Sequence, residues 1–203
     1  MSKNYPESYQ KAEKILRENN GILRASEAVE LGIHLTTLQR MVEDGYLIKD
    51  ARGLYRLADV QLGDPDLITV SILVPKSVIC LISALSFHNL TTQIPRRIYI
   101  ALPRSVKTPK IEYPPIEAIH LSKGSYQAGI EEHILDGIAV CIYDKEKTIA
   151  DCFKFRNKIG LEVAIEALQD YLTLSDKNFS KLAKYSKINR VKNVITPYIN
   201  AHR

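Results

Sequence analysis

Two aspartates and a lysine lie close together in the stretch DKEKTIAD, at positions 144, 147 and 151. On a helix, Lys147 and Asp151 are four residues apart and face each other, and Asp144 can cap the first turn. Carboxylates beside a lysine could hold a metal ion, as in a nuclease. Such carboxylates usually come from neighbouring strands, but the strand-like stretch IEAIHL offers one acid and no lysine. We therefore interpret DKEKTIAD as a capped helix with a surface ion pair. A nucleic-acid-processing enzyme that uses Asp144, Lys147 and Asp151 is the alternative.

Other patterns that carry chemistry are absent from the sequence. No histidine lies three or four residues from another, and the three cysteines form no CxxC pair, so we expect no metal site and buried, inert thiols. Ser83 and His88 occur in SALSFH, which lacks the GxSxG form of a nucleophile elbow and suggests packing. There is no glycine-rich phosphate loop. We expect no cofactor and no enzymatic activity.

Composition and charge set broad limits on function. The chain has 203 residues, of which 45% are hydrophobic and 25% are charged, as in ordinary globular proteins. It has no run of 18 apolar residues, and its first 20 residues lack the apolar core of a signal peptide, so we expect a cytoplasmic protein with no membrane span. The formal charge is +5, but residues 1–62 hold nine basic and nine acidic side chains. The basic excess therefore lies in the remainder.

The first 62 residues predict a winged helix-turn-helix. Helical patterns run over about 9–19, 26–32 and 35–44, with Gly45 ending the third. Strand-like stretches at 46–48 and 54–57 flank a turn at 49–53 that contains a glycine. We place a DNA-binding domain at residues 1–62.

In such a domain the second helix of the pair enters the major groove. Here that helix covers 35–44, and Leu38, Met41 and Val42 share its inner face. The candidate DNA-binding residues are the outward polar side chains of this helix and the basic side chains at the tip of the hairpin: Thr36, Thr37, Gln39, Arg40, Lys49 and Arg52. Glu43, Asp44 and Asp50 lie near this surface and would repel phosphate. A winged helix that binds another protein is the alternative.

The second predicted domain, residues 66–203, follows a linker at 58–66. Strand patterns at 96–102, 116–121, 130–135 and 138–143 precede helical patterns over about 144–155, 161–172, 176–185 and 188–200. Asp136-Gly137 is a strong signal for a two-residue hairpin. The order predicts a mixed α+β domain with a helical C-terminal cap.

Basic residues of the second domain could form a further positive surface. The stretch RRIYIALPRSVKTPK (96–110) and the segment from Lys181 to Arg203 contain no acid. The candidate residues are Arg96, Arg97, Arg104, Lys107, Lys181 and Lys184. This surface could bind DNA, RNA or an acidic partner, although a solvated face is the default.

Three stretches together resemble the AbiEi family of antitoxins from type IV, or abortive-infection, toxin–antitoxin systems. They are LGIHLTTLQRMVEDGYLIKDARGLYRL (31–57), ISALSFHNLTTQIPRRIYIALPR (82–104) and VCIYDKEKTIADCFKFRNKIGLEVAIEALQDYL (140–172). The combination is fairly specific, whereas each stretch alone is weak.

The resemblance implies an autoregulatory repressor. Such antitoxins bind inverted repeats in double-stranded operator DNA through the winged helix, which here carries the six candidate residues named above. The second domain contributes to cooperative binding, with a homodimer on DNA as one arrangement, and to neutralising a nucleotidyltransferase-like toxin. Some members act as plain transcriptional regulators without a toxin. The resemblance implies no catalytic role for SALSFH or DKEKTIADC.

Overall fold

The computed structural model describes residues 6–201, which fold as a mixed α+β protein with two sheets. The described chain forms two compact units. The first takes residues 6–75, 110–114 and 134–139, and the second takes residues 76–109, 115–133 and 140–201. Arg203 lies outside the described residues. No helix within residues 6–201 is both long and apolar enough to cross a membrane.

The first unit alternates short helices with short strands. In chain order these are α1 (Glu7–Glu18), β1 (Ile22–Arg24), α2 (Ala25–Glu30), α3 (Leu35–Glu43), β2 (Leu47–Ala51), β3 (Leu54–Leu57) and α4 (Pro65–Leu73). The strands form an antiparallel sheet in the order β1-β3-β2, with Leu23 opposite Tyr55 and Ile48 opposite Arg56. The predicted helices and hairpin are present. β1, which pairs with β3, lies in a stretch to which the sequence patterns assigned no element.

Buried side chains of α1, α3 and the sheet form the core of the first unit. Leu16 of α1 and Leu38 and Met41 of α3 are almost fully buried, as helical spacing predicts for α3. Burying a side chain of this size contributes about 1.5–3 kcal/mol. The core therefore fixes the inner face of α3 and leaves its other face to solvent.

The second helix buries less than expected. Its sequence offers three apolar side chains, Ala28, Val29 and Leu31, but only Ala28 of these is buried, and Val29 and Leu31 are 47% and 46% exposed. Ile33 follows a tight turn and donates its backbone N–H to the Ala28 carbonyl at 2.8 Å. Ile33, which follows the helix, is buried in the core.

The hairpin after α3 turns more tightly than predicted. β2 extends to Ala51 with a register shift between Lys49 and Ala51, so the turn consists of Arg52 and Gly53. Gly53 has a φ of 74°, which is a conformation that favours glycine. Lys49 therefore lies within the strand rather than at the tip, where we expected it, and Arg52 occupies the tip.

The second unit is built on a mixed sheet with helices packed against it. Its strands are β4 (Val78–Ile79), β5 (Ile98–Pro103), β6 (Ile116–Leu121), β7 (Ile130–Leu135) and β8 (Ile138–Tyr143), in the order β6-β5-β4-β8-β7. Residues 134–139 of the β7–β8 hairpin group with the first unit. The helices are α5 (Leu81–Phe87), α6 (Lys123–Gln127), α7 (Lys145–Lys154), α8 (Arg156–Ile159), α9 (Leu161–Thr173), α10 (Phe179–Ile188) and α11 (Lys192–Asn200). Asp136 and Gly137 both have positive φ, which confirms the predicted two-residue turn between β7 and β8.

The ion pair predicted on the surface of α7 is instead buried. Asp144 caps α7 as expected, since its carboxylate accepts the Lys147 backbone N–H at 2.7 Å. Lys147 Nζ lies 2.5 Å from Asp151 Oδ2, and both side chains are 0% exposed. The surface assignment is wrong because α5, α9 and α10 pack around α7 and cover the face that carries the pair.

Hydrogen bonds connect this buried pair to two further elements. Asn189 Nδ2, after the end of α10, donates to Asp151 Oδ1 at 2.7 Å, and Ser125 Oγ of α6 donates to Asn189 Oδ1 at 2.9 Å. Lys147 Nζ also lies 4.1 Å from the centre of the Tyr143 ring. A buried ion pair is tolerated only when such partners compensate for lost hydration. The cluster of Lys147, Asp151, Asn189 and Ser125, called the α7 network below, therefore joins three helical segments.

The SALSFH stretch forms α5 and its C-cap, and its polar side chains have separate partners. Ser83 Oγ accepts the Tyr99 backbone N–H at 3.0 Å. His88 Nε2 lies 2.7 Å from the Tyr143 carbonyl oxygen, and burial lowers the pKa of His88. Serine and histidine thus bind different backbone groups, which agrees with a packing role rather than a catalytic pair.

The cysteines are free thiols. Cys80 and Cys152 are fully buried, and burial raises the pKa of both, so they hold their protons at neutral pH. Cys141 is only half-buried, although we expected burial for it as well.

Substitution of Lys147 tests the α7 network. Lys147→Met leaves the Asp151 carboxylate buried without its cation, so we expect the free energy of unfolding in urea to fall by about 3–5 kcal/mol. Lys145→Met on the same helix removes a more exposed pair with Asp176 and should cost far less, because an ion pair open to solvent contributes little. Lys147→Met/Asp151→Asn removes both charges and keeps the acceptor for Asn189, so it should recover part of the loss. Equal effects of the two lysine substitutions would contradict the assigned role.

Protonation of His88 should make the protein less stable in acid. The pKa of His88 is lower in the folded protein than its ordinary value near 6.5. The neutral side chain therefore contributes its full stabilisation of the fold above that value, and this stabilisation is lost as the pH falls through the folded pKa. The wild type should lose at most about 1.4 kcal/mol per pH unit in that window through this group. His88→Gln should flatten the pH dependence of urea unfolding. Parallel curves for the two proteins would exclude the effect.

Candidate nucleic-acid interface

The outward face of α3 presents polar side chains to solvent. Thr36, Gln39 and Arg40 are exposed, and Thr37 is half-buried beside the inner face. The spacing of three and four residues places Thr36, Gln39 and Arg40 on one side of the helix. Gln can pair with adenine and Arg with guanine in the major groove, so this face has the chemistry of base recognition.

The β2–β3 hairpin carries the other two predicted residues. Lys49 is exposed on β2, and Arg52 at the turn is 84% exposed. Arg52 Nη1 lies 4.0 Å from Glu112 Oε1, whose side chain is 76% exposed. A pair this open contributes little free energy, so the Arg52 guanidinium can exchange Glu112 for a phosphate. α3 packs against β2, which links the helix to the hairpin.

The acidic residues near this surface are partly neutralised within the unit. Asp50 forms two hydrogen bonds with Arg56, at 2.7 and 2.8 Å, and both side chains are nearly buried. Asp44 accepts a hydrogen bond from Tyr9 at 2.6 Å, and this bond raises the pKa of Tyr9 to about 12. The repulsion that we expected from Asp50 is therefore cancelled by Arg56, whereas Glu43 and Asp44 stay exposed and keep their charges.

Sequence reasoning missed two exposed residues at the start of α3. His34 occupies the N-cap position, and Leu35 in the first turn is 49% exposed. The first turn of a recognition helix lies nearest the base edges, so these two side chains join Thr36 at the candidate interface. Their position at the start of a predicted recognition helix could have identified these two residues. A leucine in a helical pattern, however, usually indicates a residue of the core.

The four basic residues predicted around β5 lie on either side of that strand. Arg96 and Arg97 precede β5, whereas Arg104 and Lys107 follow it, and a strand of this length spans roughly 20 Å. Arg97 donates to Glu117 at 2.8 Å, and Lys158 and Arg97 lower the pKa of Glu117.

The two lysines of α10 also differ in their surroundings. Lys181 lies 3.2 Å from Asp144 and 3.6 Å from Glu131, whereas Lys184 is exposed. Of the six predicted residues, Arg97 and Lys181 are therefore already paired with carboxylates, whereas Arg96, Arg104, Lys107 and Lys184 are exposed and have no such pair.

The DKEKTIAD residues do not form an open site. Asp144 is 3% exposed, and Lys147 and Asp151 are fully enclosed by the helices around α7. Within residues 6–201, no group of three His, Cys, Asp or Glu side chains is arranged to hold a metal ion.

Comparison with known proteins finds a matching family and a solved structure with a similar fold. Residues 10–58 match the family described as "Transcriptional regulator, AbiEi antitoxin". No curated protein matches the chain. The crystal structure of the RV2827C protein from Mycobacterium tuberculosis is similar, with a TM-score of 0.64 and 13% identity, over 92% of this chain and 73% of that one. At this identity the likeness shows a shared fold alone.

The matched segment contains most of α1 together with α2, α3 and the β2–β3 hairpin, and so includes all six residues of the first candidate set. The resemblance to the AbiEi antitoxins and transcriptional regulators is thus confirmed over residues 10–58.

Proposed function

We propose that this protein is a DNA-binding repressor of its own operon and an antitoxin. Residues 1–62 act as a winged helix-turn-helix, with α3 as the recognition helix and the β2–β3 hairpin as the wing. The observation that carries the proposal is the exposed polar face of α3, held by the buried Leu38 and Met41, in a segment that matches a regulator family. The sheet order β1-β3-β2 supports the winged arrangement.

The second predicted domain, residues 66–203, supports this role. Its C-terminal helices α9 to α11 form a helical cap on the mixed sheet, and its exposed basic residues add phosphate contacts. The resemblance suggests a nucleotidyltransferase-like toxin as the partner and an inverted repeat bound by two copies in the cytoplasm. Half-sites spaced by whole helical turns would let both copies bind one face of the duplex.

Arg40 should contribute sequence-specific affinity. Arg40→Ala removes a contact to guanine or phosphate, so we expect its complex with the protein's own upstream DNA to be weaker by about 1–3 kcal/mol in fluorescence anisotropy. Lys14→Ala removes the same charge from the exposed side of α1 and serves as the matched control. Circular dichroism should show both variants folded. If Arg40→Ala binds as tightly as the control, α3 does not read this DNA.

Arg52 should contribute a phosphate contact rather than sequence readout. Arg52→Ala should weaken binding to operator and to scrambled duplex by similar factors and reduce the slope of log K against log salt by about 1. Glu112→Gln removes the carboxylate near Arg52 and should leave affinity unchanged or slightly higher. A salt-insensitive signal that does not depend on DNA sequence would favour a protein-binding module instead.

A further inference from the structure

An open cavity of about 600 Å³ lies beside α2 in the first unit. Its walls come from the end of α1, from β1, α2 and α4, and from the first residues of β8, and every lining residue belongs to that unit. Cavities that bind small molecules generally have volumes of roughly 300–1,000 Å³. The cavity is therefore large enough to hold a small organic ligand.

Apolar side chains form much of the cavity wall. Ile22 and Leu23 of β1 are buried, and Ile72 of α4 and Ile138 of β8 are half-buried. Leu31, which follows α2, lines the same cavity and is 46% exposed. A ligand with an apolar body would remove the Leu31 side chain from water, which is favourable.

Hydrogen bonds fix two of the walls. Asn19 Nδ2 donates to the Ile15 carbonyl at 2.8 Å, and Asn20 Nδ2 donates to the Gly137 carbonyl at 3.2 Å. The Gly63 backbone N–H donates to Asp136 Oδ2 at 2.8 Å. These bonds hold the end of α1 and the turn before β8 in place, so the cavity is formed before any ligand binds.

The charged groups of the cavity lie along one face of α2. Arg24 precedes the helix, and Glu27, Glu30 and Leu31 follow at intervals of three and four residues. Glu27 Oε2 accepts the Arg24 backbone N–H at 3.0 Å. Arg24 Nη2, however, is buried and has no hydrogen-bond partner among residues 6–201. A buried donor of this kind raises the free energy of the folded protein until an acceptor reaches it.

The charges on this face favour a ligand that carries both signs. An anion could pair with Arg24, but it would also meet the exposed carboxylates of Glu27 and Glu30. A cation would leave Arg24 Nη2 without an acceptor. A carboxylate beside Arg24, together with an ammonium group beside Glu30, gives each protein charge an opposite partner.

The spacing of the charges sets the length of that ligand. Glu30 follows Arg24 by six positions, which corresponds to roughly 9 Å along a helix. In a free amino acid the ammonium and carboxylate groups share one carbon, so they are too close together to reach both residues. The ends of an extended dipeptide or tripeptide are roughly 7–10 Å apart.

We propose that this cavity binds a free peptide of two or three residues. The C-terminal carboxylate pairs with Arg24, the N-terminal ammonium group pairs with Glu30, and apolar side chains of the peptide cover Leu31. The site uses α2 rather than the outer face of α3, so it goes beyond DNA binding and does not depend on any operator sequence.

Isothermal titration calorimetry with leucyl-leucine tests the site. The wild type should give a saturating isotherm with one peptide per chain. N-acetyl-leucyl-leucine lacks the ammonium group and leucyl-leucine amide lacks the carboxylate, so each should bind about tenfold more weakly or worse. Free leucine should also bind more weakly, because it cannot reach both charges. These comparisons use the unaltered protein.

Two variants assign the two ends of the peptide. Arg24→Gln should bind leucyl-leucine about tenfold more weakly and should no longer prefer it to the amide. Glu30→Gln should no longer prefer leucyl-leucine to the acetylated peptide. Glu18→Gln removes an exposed carboxylate of α1 that does not line the cavity, so it should keep both preferences. Circular dichroism should show all three variants folded.

Three results would overturn the peptide site. They are the lack of a saturating isotherm with leucyl-leucine, equal affinity of the wild type for leucyl-leucine and both blocked peptides, and an unchanged preference for the free carboxylate in Arg24→Gln. No DNA is present in these titrations, so such a result would leave the proposed role of α3 intact. Loss of operator binding in Arg40→Ala would likewise be independent of the peptide site.

Discussion

The second unit depends on a lysine ammonium group enclosed with a carboxylate in its interior. Lys147 and Asp151 have no access to water, so each would raise the free energy of the folded state if it stood alone. Together with Asn189 and Ser125 they satisfy one another, and this requirement fixes how α6, α7 and the end of α10 meet. Apolar packing of similar volume could be as stable, but it would specify the mutual placement of these segments less strictly.

The placement of charge in the second unit follows from that constraint. Asn189 follows α10 and donates to Asp151, so the turn between α10 and α11 is held against α7. Burial lowers the pKa of Lys154 at the end of α7, and the charge of the same buried aspartate partly offsets this effect.

Local chemistry made the regular elements predictable. The Asp136-Gly137 turn follows from residues that accept positive φ, and the inner face of α3 follows from the spacing of Leu38 and Met41. Features that depend on distant partners were not predictable in this way. Spacing indicates that Lys147 and Asp151 face each other on α7, but whether the pair is buried depends on α5, α9 and α10, which cover it.

The candidate interfaces were also predictable only where they depend on local spacing rather than on distant partners. Position on the helix placed Thr36, Gln39 and Arg40 on the outer face of α3, whereas the hairpin register moved Lys49 from the tip into β2. In the second unit, runs of basic residues suggested one surface. The fold places Arg97 and Arg104 on either side of β5, so the residues of that run are separated by the length of a strand. A run of charge in sequence is thus a poor guide to a cluster in space.

The net charge of the first unit understates the positive charge that its outer surface presents to a nucleic acid. Residues 1–62 are formally neutral, but Arg56 and Asp50 cancel each other in a nearly buried pair, and Arg17 is held by Glu13 and Asp59 at 2.7 Å. These pairs remove charges of both signs from the field at the outer face of α3 and the hairpin. Arg40, Lys49 and Arg52 then remain as exposed cations there, with Glu43 and Asp44 as exposed acids. Affinity on such a surface must come from directed contacts of a few side chains, because the weak overall charge supplies little long-range attraction.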